Sequence, residues 1–164
     1  MDITDLFSEK IKTPEEVLAL SREWRRDGLR VVFVCGCFDL FHAGHVRHFA
    51  AAKSAGDVLV VAVHGDARDC RGAGAAAHII DQRGRMTIAA AVGTVDYVVP
   101  LPMESGEEFI AALKPAACAV TGEMGAHGEI MRRAAASLGA EIVETGEPET
   151  TFAGIASKII ERRA

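Results

Sequence analysis

Residues 31–45 read VVFVCGCFDLFHAGH, and this stretch decides the fold. Val31-Val32-Phe33-Val34-Cys35 is an unbroken apolar run between Arg30 and Gly36, the pattern of a strand buried on both faces of a parallel sheet. A glycine- and histidine-bearing segment follows and opens a helix from about Gly44 to Ala55, stopped at Gly56. Val58–Val63 repeats the buried-strand pattern. Upstream, Thr13 is a candidate N-cap, Pro14 suits the first helical position and Glu16 completes a capping box. Val17, Leu20 and Trp24 share one face of that helix, which spans about 13–28 and stops at Gly28.

The alternation continues downstream. A helix from about Arg83 to Val92 precedes a strand over Val95–Val99, which is expected to end before Pro100. Ser105 and Glu108 form a second capping box for a helix reaching Leu113, followed by a strand over Ala116–Thr121. A helix from about Glu129 to Leu138, a short strand Glu141–Val143 and a helix from about Ala153 to Arg162 complete the order. Such alternation predicts an α/β, doubly wound, Rossmann-like sheet of about five parallel strands with helices on both faces. Ligands of such sheets bind beyond the carboxyl ends of the strands, where strand order reverses. With the first strand central and the fourth beside it, the site is built by residues 36–45 and 121–125.

The 164 residues, 49% hydrophobic and 25% charged, predict one domain over 1–164. No apolar run approaches the roughly 20 residues of a membrane span, and the acidic start is unlike a secretory leader. A cytoplasmic protein with no membrane partner is expected. A net charge of −5 gives no basic face for nucleic acid. Cys35, Cys37, Cys70 and Cys118 are too few for a disulfide framework and are expected to remain thiols. Gly72–Ala77 looks like a mobile loop, and Trp24 like packing.

Gly36 and Gly44 let main chain come near a bulky anion, and the helix beyond offers unpaired N–H groups and a positive dipole end. His42 and His45, one turn apart, both face that anion as hydrogen-bond donors, and as cations where phosphates raise their pKa. Their role is to stabilise charge on a pentacoordinate phosphorus and a departing pyrophosphate while an ionised phosphate oxygen attacks in line. Mg²⁺ bridging phosphate oxygens is the expected cofactor. A zinc reading of Cys35, Cys37, His42 and His45 fits poorly, because Cys35 belongs to a buried strand, and no metal is assigned to side chains. His48 reads as a partly exposed surface residue, while His64, His78 and His127 fall in loops.

The run GCFDLFHAGHVRHFAAAKSAGD, with its preceding helix and strand and with Arg85 ahead of Val95-Asp96, resembles the cytidylyltransferase-like superfamily. Within it the likeness is greatest to the heptose 1-phosphate adenylyltransferases and more distant to the glycerol-3-phosphate cytidylyltransferases. The resemblance implies that His42 and His45 are catalytic. It places Gly36, Cys37, Phe38, Gly44, Arg85, Gly122, Glu123 and Thr151 on the nucleotide, and Asp39, Asp66 and Arg71 towards the acceptor, Asp39 also forming the motif's turn; His64 is a candidate acceptor contact by its position just after the second strand. Three segments depart from the family pattern. Arg71 stands where relatives use a loop lysine, Thr121-Gly122-Glu123-Met124 replaces the usual base-binding loop, and Glu149-Thr150-Thr151-Phe152 replaces Ser-Thr-Thr.

The implied activity is nucleotidyl transfer, AMP favoured, from a nucleoside triphosphate to a small phosphorylated acceptor, a heptose 1-phosphate-like sugar or a polyol phosphate. The alternatives are a CTP-dependent glycerol-3-phosphate-type enzyme and a nucleotide-binding module with weak or no turnover. A homodimer is left open.

Overall fold

The computed structural model describes residues 7–66, 78–102, 106–146 and 151–162, with main chain alone at 123, 125–127 and 152. In chain order the elements are α1 (Pro14–Arg26), β1 (Val31–Gly36), α2 (Ala43–Lys53), β2 (Val58–His64), α3 (Gln82–Ala91) and β3 (Tyr97–Leu101). Then come α4 (Gly106–Leu113), β4 (Ala117–Val120), a 3-10 turn (Gly122–Met124), α5 (Gly125–Leu138), β5 (Glu141–Glu144) and α6 (Phe152–Glu161).

The first helix starts as its sequence dictates. Glu16 N–H donates to Thr13 Oγ1 at 3.2 Å and Thr13 N–H to Glu16 Oε2 at 2.7 Å, so the capping box satisfies two otherwise orphaned donors. Gly28, at φ 72°, turns the chain into β1. Trp24 is packing, its ring centroid 5.0 Å from that of Tyr97.

All strand pairs are parallel, in the order β3-β2-β1-β4-β5. The side chains of β1 alternate between two apolar layers. Phe33 and Cys35 join Val17, Phe109, Leu113 and Met131 beneath α1, α4 and α5. Val32 and Val34 join Phe49, Ala52, Met86 and Ala90 beneath α2 and α3. Strands buried on both faces need side chains apolar at every position, which is why β1, β2 and β4 read as continuous runs.

Several boundaries differ from the sequence pattern. β3 runs through Pro100, which pairs with Val63, instead of ending at Val99. It is the sheet's edge, where one row of N–H groups needs no partner and proline is tolerated. α5 begins four residues earlier than Glu129, so His127 lies in a helix and not in a loop. Ser105, the 71–77 segment and Cys70 lie outside the described residues. Among those described, no helix is long and apolar enough to cross a membrane.

The chain winds from β1 outward through β2 to β3, then returns to place β4 and β5 on the other side of β1. Strand order therefore reverses between β1 and β4. Residues 36–45 and 121–125 stand beyond the carboxyl ends of those two strands, as the sequence predicts.

Candidate functional site

The loop after β1 is strained and clamped. Phe38 (φ 53°) and Leu40 (φ 46°) are both left-handed, a conformation that costs a non-glycine residue about 1–2 kcal/mol. Between them the buried Asp39 carboxylate accepts N–H bonds from Leu40 (3.0 Å), Ile79 (2.9 Å) and Ile80 (3.1 Å). This pins the loop to the segment that leads into α3. The Phe38 ring folds back over Gly36, where an added Cβ would sit 2.8 Å from its tip.

α2 starts on His42, whose extended main chain makes it the N-cap. His42 Nδ1 accepts the Gly44 N–H at 3.1 Å, and His45 Nδ1 accepts the His42 N–H at 3.3 Å. These imidazoles perform the work that Ser or Thr and Glu perform in an ordinary capping box. Because both Nδ1 atoms accept, the proton of each neutral ring belongs on Nε2. The rings stack with centroids 3.9 Å apart.

Burial lowers the pKa of His42, and it lowers that of His45 to about 3, with the positive charge His42 and His48 would carry adding to the effect on His45. In the absence of phosphates the neutral form of both rings is thus favoured. The rings remain donors through neutral Nε2–H groups.

Arg85 is fully buried in α3. Its Nε donates to Ile80 O at 2.9 Å, Nη1 to Cys37 O, and Nη2 to His64 O at 2.8 Å and Asp66 Oδ1 at 2.6 Å. One guanidinium therefore joins the ends of β1 and β2. Partial desolvation pulls the Asp66 pKa up, but the Gln82 N–H, the bond and charge of Arg85, and His78 outweigh it and hold the carboxyl below its usual value.

His64 closes β2 as a buried residue, its Nδ1 4.0 Å from Cys37 Sγ. Cys37 is disulfide-bonded, a departure from four thiols. Cys35 and Cys118 are free, and burial pushes both thiols up to about 12. Cys35 Sγ lies 3.4 Å from Met131 Sδ, in the layer opposite α2.

Gly44 is buried in the first turn of α2, and Gly122 and Glu123 fall in the 3-10 turn after β4. Thr151 caps α6, its hydroxyl accepting the Gly154 N–H at 3.0 Å. Arg71 and Thr150 lie outside the described residues.

His48 departs most from expectation. It is 6% exposed, and its Nδ1 sits 2.6 Å from Thr145 Oγ1. Its position one turn beyond His45 was the only signal, and Thr145 had none.

The sequence model of the cytidylyltransferase-like family matches residues 33–135. Among curated proteins, the chain is 36% identical over 155 residues to the bifunctional protein HldE of Pelobacter propionicus, covering 93% of this chain and 32% of that protein. It is 41% identical over 110 residues to bifunctional protein HldE of Bradyrhizobium diazoefficiens, covering 67% and 22%. The chain thus spans about a third or less of these relatives. Two solved structures share the fold. A lipopolysaccharide core biosynthesis protein from Thermoplasma volcanium gives a TM-score of 0.61 at 22% identity, covering 76% of this chain and 99% of that one. A pantoate-beta-alanine ligase from Francisella tularensis, complexed with beta-gamma ATP and beta-alanine, gives 0.62 at 13%, covering 94% and 79%.

Proposed function

The chain belongs to the cytidylyltransferase-like family, and from that premise we propose that it is a nucleotidyltransferase. It would move a nucleoside monophosphate, AMP favoured, from a nucleoside triphosphate to a sugar or polyol phosphate, with a heptose 1-phosphate-like acceptor preferred. One observation carries this reading most. Two histidines at the start of α2 are locked by main chain into the tautomer that carries its proton on Nε2, beside the point where strand order reverses.

In the proposed reaction an ionised oxygen of the acceptor phosphate attacks the α-phosphorus in line. A new P–O bond forms, the bond to the bridging oxygen of the β-phosphate breaks, and pyrophosphate leaves with its electron pair. No side chain needs to remove a proton. His42 and His45 donate to the phosphate oxygens on which charge grows, and the N-terminus of α2 adds its unpaired N–H groups. The clamp by Asp39 and Arg85 holds the preceding loop still, so little reorganisation accompanies the reaction.

Among the described residues no group of three or more His, Cys, Asp or Glu is placed to hold a metal ion. Asp39 is committed to main-chain N–H groups and Asp66 to Arg85. These side chains do not form a cage for Mg²⁺, so the ion is proposed to accompany the nucleotide on its phosphate oxygens, and no step is assigned to it. A cytoplasmic location is proposed with this activity.

The test is pyrophosphate release with ATP, CTP, GTP and UTP against a panel of sugar and polyol phosphates. ATP with a sugar 1-phosphate is expected to give the highest kcat/KM. A preference for CTP across all acceptors would overturn the adenylyl assignment, and no release with any pair would overturn the transferase reading.

A further inference from the structure

We infer that His48 is a positioning residue, a strut that fixes the spacing between α2 and the end of β4 and so between the two walls of the candidate site. Its kinetic consequence rests on the transferase reading above; its geometry does not.

The two walls need such a strut because the ladder between their strands is short. β1 pairs with β2 over six positions, from Val31↔Val58 to Gly36↔Val63. Its register with β4 covers only Val32↔Ala117 and Phe33↔Cys118. The carboxyl ends of β1 and β4, from which the site's two loops emerge, are thus beyond the paired stretch. His48 ties these parts together from α2. Its Nδ1 meets Thr145 Oγ1 at 2.6 Å, and Thr145 Oγ1 lies 3.1 Å from the carbonyl of Val120, the last residue of β4. The Thr145 N–H donates to the same carbonyl at 3.0 Å. Thr121 and Gly122 follow directly.

The direction of each bond follows from the one acceptor-only partner. A carbonyl has no proton, so the Thr145 hydroxyl donates to Val120 and its oxygen accepts from His48. His48 therefore carries its proton on Nδ1, the opposite of His42 and His45. Burial, which pushes its pKa down to about 4, keeps it neutral, as a ring with a single N–H must be. Three histidines at i, i+3 and i+6 thus divide into two donors facing the site and one facing the sheet.

The tautomer gives the test its discrimination. An asparagine amide nitrogen reaches the place of Nδ1, whereas a glutamine amide reaches that of Nε2. His48→Asn is expected to keep kcat/KM within about threefold of wild type, while His48→Ala and His48→Gln lose about tenfold or more, chiefly in kcat. Hydrogen exchange of the Thr145 and Gly122 amides, measured without nucleotide, should speed up in the Ala and Gln variants and not in the Asn variant. If wild type releases no pyrophosphate, the transferase reading fails and the exchange pattern alone decides the strut. Equal behaviour of the Asn and Gln variants, or unchanged exchange in all three, would overturn it.

Discussion

The imidazole rings of His42 and His45 stack with centroids 3.9 Å apart and a 25° angle between planes, each held at Nδ1 by a main-chain N–H. The same contacts that start α2 therefore choose which nitrogen faces the site. Helix capping and transition-state stabilisation use opposite edges of each ring, which makes the two roles separable by mutation.

His42→Asn keeps a side-chain oxygen able to cap α2 but removes the Nε2–H donor. Turnover should fall by about 10²-fold while the melting temperature stays close to wild type. His42→Ala should lose the same activity and in addition about 1 kcal/mol of stability, the usual cost of a lost cap. Steady-state pyrophosphate release and thermal denaturation of both variants check this. An active His42→Asn enzyme would remove the histidine from the mechanism.

Acid should destabilise the fold above the range where carboxylates titrate. Burial lowers His48 from 6.5 to about 4, and His45 to about 3 with help from the charges of His42 and His48. Both rings bind protons near pH 6.5 when unfolded and resist them when folded. Their contribution is therefore complete above pH 6.5 and is lost as pH falls from there towards 4 and 3. Each group contributes a slope approaching about 1.4 kcal/mol per pH unit inside that window. Urea midpoints between pH 7.5 and 4.5 measure it, and His48→Asn should remove about one proton from the uptake on unfolding. A flat profile down to pH 5 would contradict the burial of these rings.

The sheet was legible because doubly buried strands leave an uninterrupted apolar record, as Val31–Cys35 and Val58–Val63 show. Pro100 misled because a pattern cannot tell an edge strand from a central one, and only the edge accepts proline. The place of the histidine pair at a helix start was legible as well, from its spacing directly after a buried strand. His48 and Arg85 were not. The partner of His48 lies 97 residues away, and Arg85 chiefly meets main-chain carbonyls, which any sequence supplies. Burial of a charged side chain on such acceptors leaves no trace in residue type.

Arg85→Ala should cost stability as well as nucleotide affinity. The guanidinium is fully buried and bonds three carbonyls and Asp66, so its removal leaves those acceptors without their donor. A loss of about 3–5 kcal/mol is expected by chemical denaturation. Arg85→Lys should recover only part of it, because an ammonium cannot reproduce the planar fork. Wild-type stability of Arg85→Ala, with weakened nucleotide binding, would show that the arginine serves the ligand alone.

The last prediction follows the contact from Gly36 to the histidines. A Cβ at position 36 would meet the Phe38 ring at 2.8 Å, and that ring is wedged edge-on between His45 at 5.4 Å and Phe49 at 5.0 Å. Phe38 is also held left-handed, with φ 53°, so its main chain cannot easily turn the ring away. Movement of the ring is transmitted to His45, which stacks on His42. Gly36→Ala should therefore lower kcat by about tenfold through misplacement of the Nε2–H donors, with a smaller effect on stability. Gly93→Ala is the matched control, because a Cβ there meets nothing within 4 Å and its φ is not left-handed. Comparison of kcat and urea midpoints for the two variants decides the matter: equal kcat in both would show that Phe38 yields without disturbing His45.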